Sequence, residues 1–432
     1  MGRRLSATDP LLQPAALSDR ARLKAILAGS LGNLIEWYDV YIYAFASLTL
    51  AGAFFPGGDR TAQLLGTSSI FAIGFFMRPL GSWYFGRRAD RHGRRGAMLA
   101  SIAMMGLGSA FIAALPTYAS IGVAAPALLL VARMVQGFST GGQYGTAATY
   151  LSEIAPPARR GFYASFQYVT LIGGQLLAVI VLQLLQLALP AGAMATIGWR
   201  IAFAMGAAAA LAMLLLRGTI HESAGATAPR GDSGSLAGLL PHWRSFGTVL
   251  GLTAGGSLIF YIYSTYMQKY LVNTAHLSPG TADAIMTAVL IPFMLMQPLF
   301  GALSDRIGRR ANLVAFAALA SVTTVPLLGW LSEVRSPLAA FLLVLAGLAV
   351  NSLYTSVSGL FKAELFPLHV RALGVGLAYG IGNALFGGTA EAVALSFKQH
   401  GHEGGFAWYA TAICLVSLAT ALSIGRERRP SP

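Results

Sequence analysis

The sequence predicts an all-α membrane protein: twelve transmembrane helices arranged as two pseudo-symmetric six-helix bundles. Three observations predict it. Of 432 residues, 55% are hydrophobic and only 11% are charged, less than half the roughly 25% charged share of soluble domains. Apolar stretches near the ~20 residues needed to cross a bilayer recur along almost the whole chain. Two unrelated polar motifs also occur twice, each copy about half a chain length from its partner.

The elements follow in order. Residues 1–22 are polar, proline-bearing and basic, and read as a cytoplasmic tail; they lack the apolar core of a cleavable signal peptide. Residues 23–218 form the first bundle, with spans at roughly 25–55, 62–86, 97–116, 124–153, 162–189 and 199–218. Residues 219–245, rich in Gly, Ser and Ala, read as a cytoplasmic linker. Residues 246–425 form the second bundle, with spans at roughly 246–273, 279–303, 312–332, 336–364, 369–398 and 404–425, followed by a tail at 426–432. Several spans exceed 25 residues, which implies tilt or extension beyond the bilayer.

Charge sets the orientation. Of 30 Lys and Arg, 23 fall in the tails and the loops on one side, Lys362 among them. Five fall on the other side: Arg60, Arg200, Lys269, Arg335 and Lys398. The positive-inside rule then places both termini in the cytoplasm of a bacterial inner membrane. This spread over short loops accounts for the net charge of +14 without nucleic acid as a partner. The single cysteine, Cys414, lies in an apolar run, so neither an intrachain disulfide nor a thiolate metal cluster is expected. No Walker-type phosphate loop, HExxH or GxSxG occurs, so neither ATP-driven transport nor an enzyme is expected. No cofactor and no metal are expected; the bilayer and a small solute are the partners, and a monomer is the expected unit.

The repeats carry their own logic. GRRADRHGRR (86–95) and GALSDRIGRR (301–310) share G-xxx-D-R-x-G-R-R, each between the second and third span of its half. Glu153-xx-Pro156-xxx-Arg160 and Glu364-xx-Pro367-xxx-Arg371 each close a fourth span. Duplicated halves are typical of secondary transporters, whose sites lie between them near the midplane. Glycine allows close helix approach, and an aspartate accepts hydrogen bonds at a helix N-terminus and pairs with arginine. Gly86, Asp90, Arg91, Gly93, Arg94, Glu153 and Arg160, with Asp305, Arg306, Arg309, Glu364 and Arg371, therefore read as a cytoplasmic gate. Anchoring of loops to anionic lipid is the plainer use of the arginines.

Ionisable residues within spans are costly and are functional candidates. Glu36 and Asp39 lie about 12 to 15 residues into span 1, near the midplane at ~1.5 Å per residue, and share a helix face with Asn33 and Tyr43. Asp39 is the first candidate for carrying protons, Glu36 the second and Glu391 a third. Arg133 and Arg78, each a planar fork matching a carboxylate, are candidates for holding an anionic substrate. Tyr43, Gln167, Gln175, Tyr261 and Asn383 are candidate cavity-lining residues, and Arg200 a candidate for drawing anions in from outside. The expected cycle pairs ionised Asp39 with Arg133 and frees the arginine when Asp39 takes a proton. For each residue, a satisfied contact within the helix packing is the structural alternative.

Beyond these motifs, GNLIEWYDVYIYAF (32–45), FMRPLGSWYFGRRADRHGRR (76–95), GGQYGTAATYLSEIAPPARRGFYASFQYVTLIGGQLLA (141–178) and QPLFGALSDRIGRR (297–310) resemble the major facilitator superfamily, and EWYD followed by MRPLG its metabolite:proton symporter branch. The resemblance covers roughly residues 20–425. It implies alternating-access proton symport of a small dicarboxylate, 2-oxoglutarate first, with citrate, shikimate or proline and betaine as alternatives. One position departs from the pattern. Gln143 stands where branch members commonly have an acidic residue, so coupling rests on other carboxylates or differs here.

Overall fold

The computed structural model describes residues 19–57, 60–92, 94–190, 192–217 and 234–425. Most of the expected N-terminal tail, all of the C-terminal one, most of the linker and Gly93 lie outside the described residues, as do the side chains of Arg94, Gln143 and Glu153. Twelve helical traversals run through the described residues. In the first half these are α1 (Asp19–Phe54), α2 (Arg60–Phe76 continued by Arg78–His92), α3 (Arg94–Ala114), α4 (Ala124–Ile154), α5 (Arg160–Ala188) and α6 (Met194–Leu215). In the second they are α7 (Leu236–Asn273), α8 (Pro279–Ile307), α9 (Arg309–Glu333), α10 (Pro337–Glu364), α11 (371–399) and α12 (Glu403–Ser423). Helix α7 begins inside the segment expected to be linker, with Ser235 capping its first turn. Among the described residues, eight stretches are long and apolar enough to cross a membrane by length and composition. Other traversals carry inward-turned polar residues, such as Arg133, Gln136 and Ser139 in α4.

Local chemistry sets the helix starts and breaks. Ser278 and Ser336 accept from the backbone of Thr281 and Ala339, with Pro279 and Pro337 in the first turns of α8 and α10. Pro79 has no N–H to donate and its ring crowds the preceding turn; α2 breaks just before it, at Met77. Two helices widen midway into π turns, α7 at Ile262–Tyr266 and α11 at Asn383–Gly388, a feature frequent at functional sites.

The packing shows the duplication. Contacts between α1 and α5, α2 and α4, and α3 and α6 are matched in the second half by α7 with α11, α8 with α10, and α9 with α12. The halves meet through α2 against α11 and through α8 against α5, again equivalent pairs. Glycines permit the closest crossings. A Cβ on Gly137 would run into the Gly74 carbonyl, and one on Gly141 into the Arg78 carbonyl, so α4 lies directly on α2. Large apolar side chains such as Leu215, Leu299, Val322 and Trp330 face outward, while Asp39, Gln136, Lys269, Asn351 and Lys362 are enclosed. Polar inside and apolar outside is the arrangement a lipid solvent selects.

Candidate functional site

Helix α1 presents two faces. Tyr41 and Ala44 turn toward the second half, beside Tyr261 and Tyr379 and under Lys269; Glu36 and Asp39 turn into the first half, against α3 and α6. Glu36 lines a small cavity with Ile102, Met105, Ala210 and Met213. Asp39 is fully buried, and a Cβ on Gly206 of α6 would collide with its Oδ1.

The expected ion pair between Asp39 and Arg133 is absent; three hydrogen bonds replace it. The Ser109 hydroxyl donates to Asp39 Oδ1 at 2.8 Å. Gln136 Nε2 donates to Ser109 Oγ at 2.8 Å, and Arg133 Nη1 donates to Gln136 Oε1 at 2.7 Å. The correction has a geometric reason. Arg133 faces the interface between the halves, where its guanidinium lies 4.4 Å from the Tyr43 ring centre and 5.6 Å from that of Phe71. Asp39 faces the interior of its own bundle, and Ser109 and Gln136 span the gap.

Arg78 sits at the α2 break, 3.5 Å from the ring centre of Phe75 and 5.3 Å from that of Trp37. Both arginines are 3% exposed and keep a buried Nε without a partner. Around Arg78 gather the Tyr41 and Tyr261 hydroxyls and the Asn383 amide, all buried and close to one another, none meeting a partner in full hydrogen-bonding geometry. Unsatisfied buried polar groups cost about 1–3 kcal/mol each. Their convergence on one place marks a site shaped for something polar.

Other expected site residues are committed elsewhere. The Tyr43 hydroxyl donates to the Thr67 carbonyl, leaving only its ring under Arg133. Gln167 donates to the Tyr144 carbonyl at 3.4 Å. Gln175 donates to the Ser264 carbonyl within the π turn of α7. Arg200 binds the Ala113 carbonyl at 2.9 Å and lies on Trp199, tying α6 to the end of α3 away from the cluster.

Two buried lysines escaped the sequence reading, which placed both in loops. Lys269 pairs with Glu391 Oε2 at 2.8 Å and donates to the Ala44 carbonyl at 3.0 Å, so an α7–α11 ion pair leans on α1 of the opposite half. Glu391 is therefore a paired carboxylate. Lys362 is 1% exposed and lies against Tyr144, Ser358 and Tyr379. A signal was present: Tyr354, Ser358 and Lys362 fall on one face of α10 at four-residue spacing.

At the end carrying the repeated loop motif, the halves are locked together. Asp305 accepts from the Gly161 and Phe162 amides at 2.7 and 3.0 Å, at the start of α5. Asp90 accepts from the Leu373 amide at 3.2 Å, at the start of α11. The motif glycines make room, since Gly301 abuts Gly161 and Gly86 abuts Leu373. Glu364 pairs with Arg309 at 3.2 Å and reaches Arg160 at 4.0 Å, while Arg371 Nε binds the Phe366 carbonyl. Arg306 points outward. At the opposite end a cleft of about 210 Å³ opens between the halves, lined by Thr49, Gln183, Gln186, Gln268 and Asp283 among others.

Known proteins share this fold and much of this sequence. Residues 25–225 match the family described as sugar (and other) transporter, and residues 249–431 match the Major Facilitator Superfamily. An alpha-ketoglutarate permease of Escherichia coli is 55% identical over 94% of this chain and 95% of that protein. A citrate-proton symporter of Salmonella typhi is 32% identical over 96% of each chain, and a proline/betaine transporter of Escherichia coli is 30% identical over 96% of this chain and 85% of that one. Among solved structures, a proton:xylose symporter bound to 6-bromo-6-deoxy-D-glucose superposes with a TM-score of 0.78 at 19% identity, covering 92% of this chain and 94% of that one. With twelve traversals in two matched halves, a charged site between them and relatives aligned along nearly the whole length, the chain belongs to the major facilitator superfamily.

Proposed function

We propose that this protein imports a small dicarboxylate, 2-oxoglutarate first, across the cytoplasmic membrane by proton symport. The motif end, with both termini, faces the cytoplasm, where the Asp90 and Asp305 contacts form the gate; the cleft at the other end faces outward. The observation that carries the reading is the directed hydrogen-bond chain from Asp39 through Ser109 and Gln136 to Arg133, ending on a guanidinium beside the unsatisfied Arg78 cluster.

The chain has a polarity. With Asp39 ionised, every donor points toward it. Asp39 Oδ2 is buried without a partner and takes the proton; a turn of the carboxyl then brings its O–H onto Ser109 Oγ in place of the Ser109→Oδ1 bond. Once protonated, Asp39 donates to Ser109, Ser109 donates to Gln136 Oε1, and the turned amide presents its NH₂ to Arg133. Two donors cannot bond, so Arg133 is released to a substrate carboxylate. Arg78 takes the other, with Tyr41, Tyr261 and Asn383 around the carbon chain. An isolated dianion in a low-dielectric cavity is strongly disfavoured; the two guanidinium groups and the co-transported proton offset its charge. With one proton per dianion the load still carries one net negative charge inward, at a cost of about 2.3 kcal/mol per 100 mV of inside-negative potential; the potential assists only when three protons accompany each dianion.

The test is uptake of labelled 2-oxoglutarate into proteoliposomes, with and without an imposed pH gradient, against unlabelled citrate, shikimate, proline and betaine. Gradient-dependent accumulation blocked first by 2-oxoglutarate is expected. Accumulation blocked better by proline or betaine would assign the site to a zwitterion instead.

A further inference from the structure

The two buried lysines are treated differently. Lys269 has a carboxylate at 2.8 Å. Lys362, equally enclosed, has no carboxylate within ion-pair distance among the described residues. Its ammonium spends two of its three donors, on Ser358 Oγ at 2.7 Å and Tyr144 Oη at 3.1 Å. The rings of Tyr379, Tyr144 and Tyr354 surround it at 4.3, 5.0 and 5.3 Å. Ring faces and hydroxyls compensate a buried cation only in part, and the nearest carboxylate along the chain, Glu364, is held by Arg309 and Arg160.

The position is as telling as the missing counter-ion. Tyr144 of α4 and Tyr379 of α11 stack across the two halves, with ring centres 3.5 Å apart and planes 11° apart. Tyr379 has Arg78 and Tyr261 as electrostatic neighbours as well as Lys362. The stack thus separates the Arg78 cluster from Lys362, which lies on the motif side just inside the Asp90 and Asp305 contacts.

We infer that Lys362 with Tyr144 and Ser358 is a second anion station, binding a carboxylate of the substrate as the Tyr144–Tyr379 stack parts and the protein opens at the motif end. The inference rests on the dicarboxylate reading above. Its chemistry is that of a lysine ammonium with one free donor and two hydroxyls, suited to one carboxylate; with the substrate's other carboxylate still on Arg78, it takes the second carboxylate, which a monocarboxylate analogue lacks.

The experiment compares right-side-out and inside-out membrane vesicles holding the full chain, as wild type, Lys362→Gln and Lys362→Arg. Lys362→Gln should raise the half-saturating 2-oxoglutarate concentration about tenfold from the motif-end face and less than about twofold from the other. Inhibition by 2-oxopentanoate should stay unchanged, and Lys362→Arg should keep most of the wild-type affinity. Equal weakening at both faces, or of both acids, would show that Lys362 only supports the packing and would overturn the station. Unchanged kinetics would overturn it too. Wild-type vesicles that move no dicarboxylate would instead remove the functional reading on which the station rests.

Discussion

Asp39 and Arg133 are joined through intermediaries, and that changes what single substitutions should do. An arginine paired directly with an aspartate would make those two residues the whole coupling device. Here Ser109 and Gln136 stand between them, so in the proposed cycle a residue that takes no proton becomes part of coupling. Asp39→Asn should weaken gradient-driven accumulation at least about tenfold while sparing substrate exchange, because exchange needs no net proton movement; equal loss of both would count against the proton role. Gln136→Leu should give the same split through a side chain that does not titrate. Arg133→Ala should weaken binding about 10- to 150-fold, read by isothermal titration with 2-oxoglutarate, since a buried charge-assisted contact is worth ~1.5–3 kcal/mol; retained affinity would exclude it from the site.

Helix ends, rather than whole helices, hold the halves together at the motif end. Each repeated aspartate accepts from the first-turn amides of the equivalent helix in the opposite half, Asp305 at α5 and Asp90 at α11. First-turn amides have no partner within their own helix, so this contact satisfies donors that would otherwise face water or lipid. Each glycine four residues before its aspartate lets the backbones meet. Asp305→Ala leaves two amides unsatisfied and should open this end. In a Cys414→Ser background carrying Ser165→Cys, beneath Gly301, the rate of labelling by a membrane-permeant maleimide should rise several-fold. An unchanged rate would show that Asp305 does not hold the gate.

Across the molecule, the contact at the end opposite the motifs depends on a charge pair rather than on a backbone dock. Lys269 and Glu391, each three residues beyond a π turn, pair with each other and rest on the Ala44 carbonyl. Removing one member leaves a buried charge, costing about 3–5 kcal/mol. Glu391→Gln should therefore lower the melting temperature of the purified protein markedly, and adding Lys269→Met should restore part of the loss. A double variant no more stable than the single would show that the pair contributes little to holding the halves together.

The twelve spans, the duplication and the family were legible in the chain, because low charge, apolar runs and a repeated G-xxx-D motif are one-dimensional signals that a bilayer and a gene duplication impose directly. The candidate arginines were legible too, since a charge within an apolar run needs an internal partner. Partner identity was not. Whether Asp39 meets Arg133 or Ser109 depends on which face of α1 turns toward α3, and that rotation is set by packing against Gly206 and its neighbours. Nor was the place of Lys269 and Lys362: a lysine near the end of a span is equally a loop charge or a core charge, until the opposite half supplies a carboxylate in one case and a ring of tyrosines in the other.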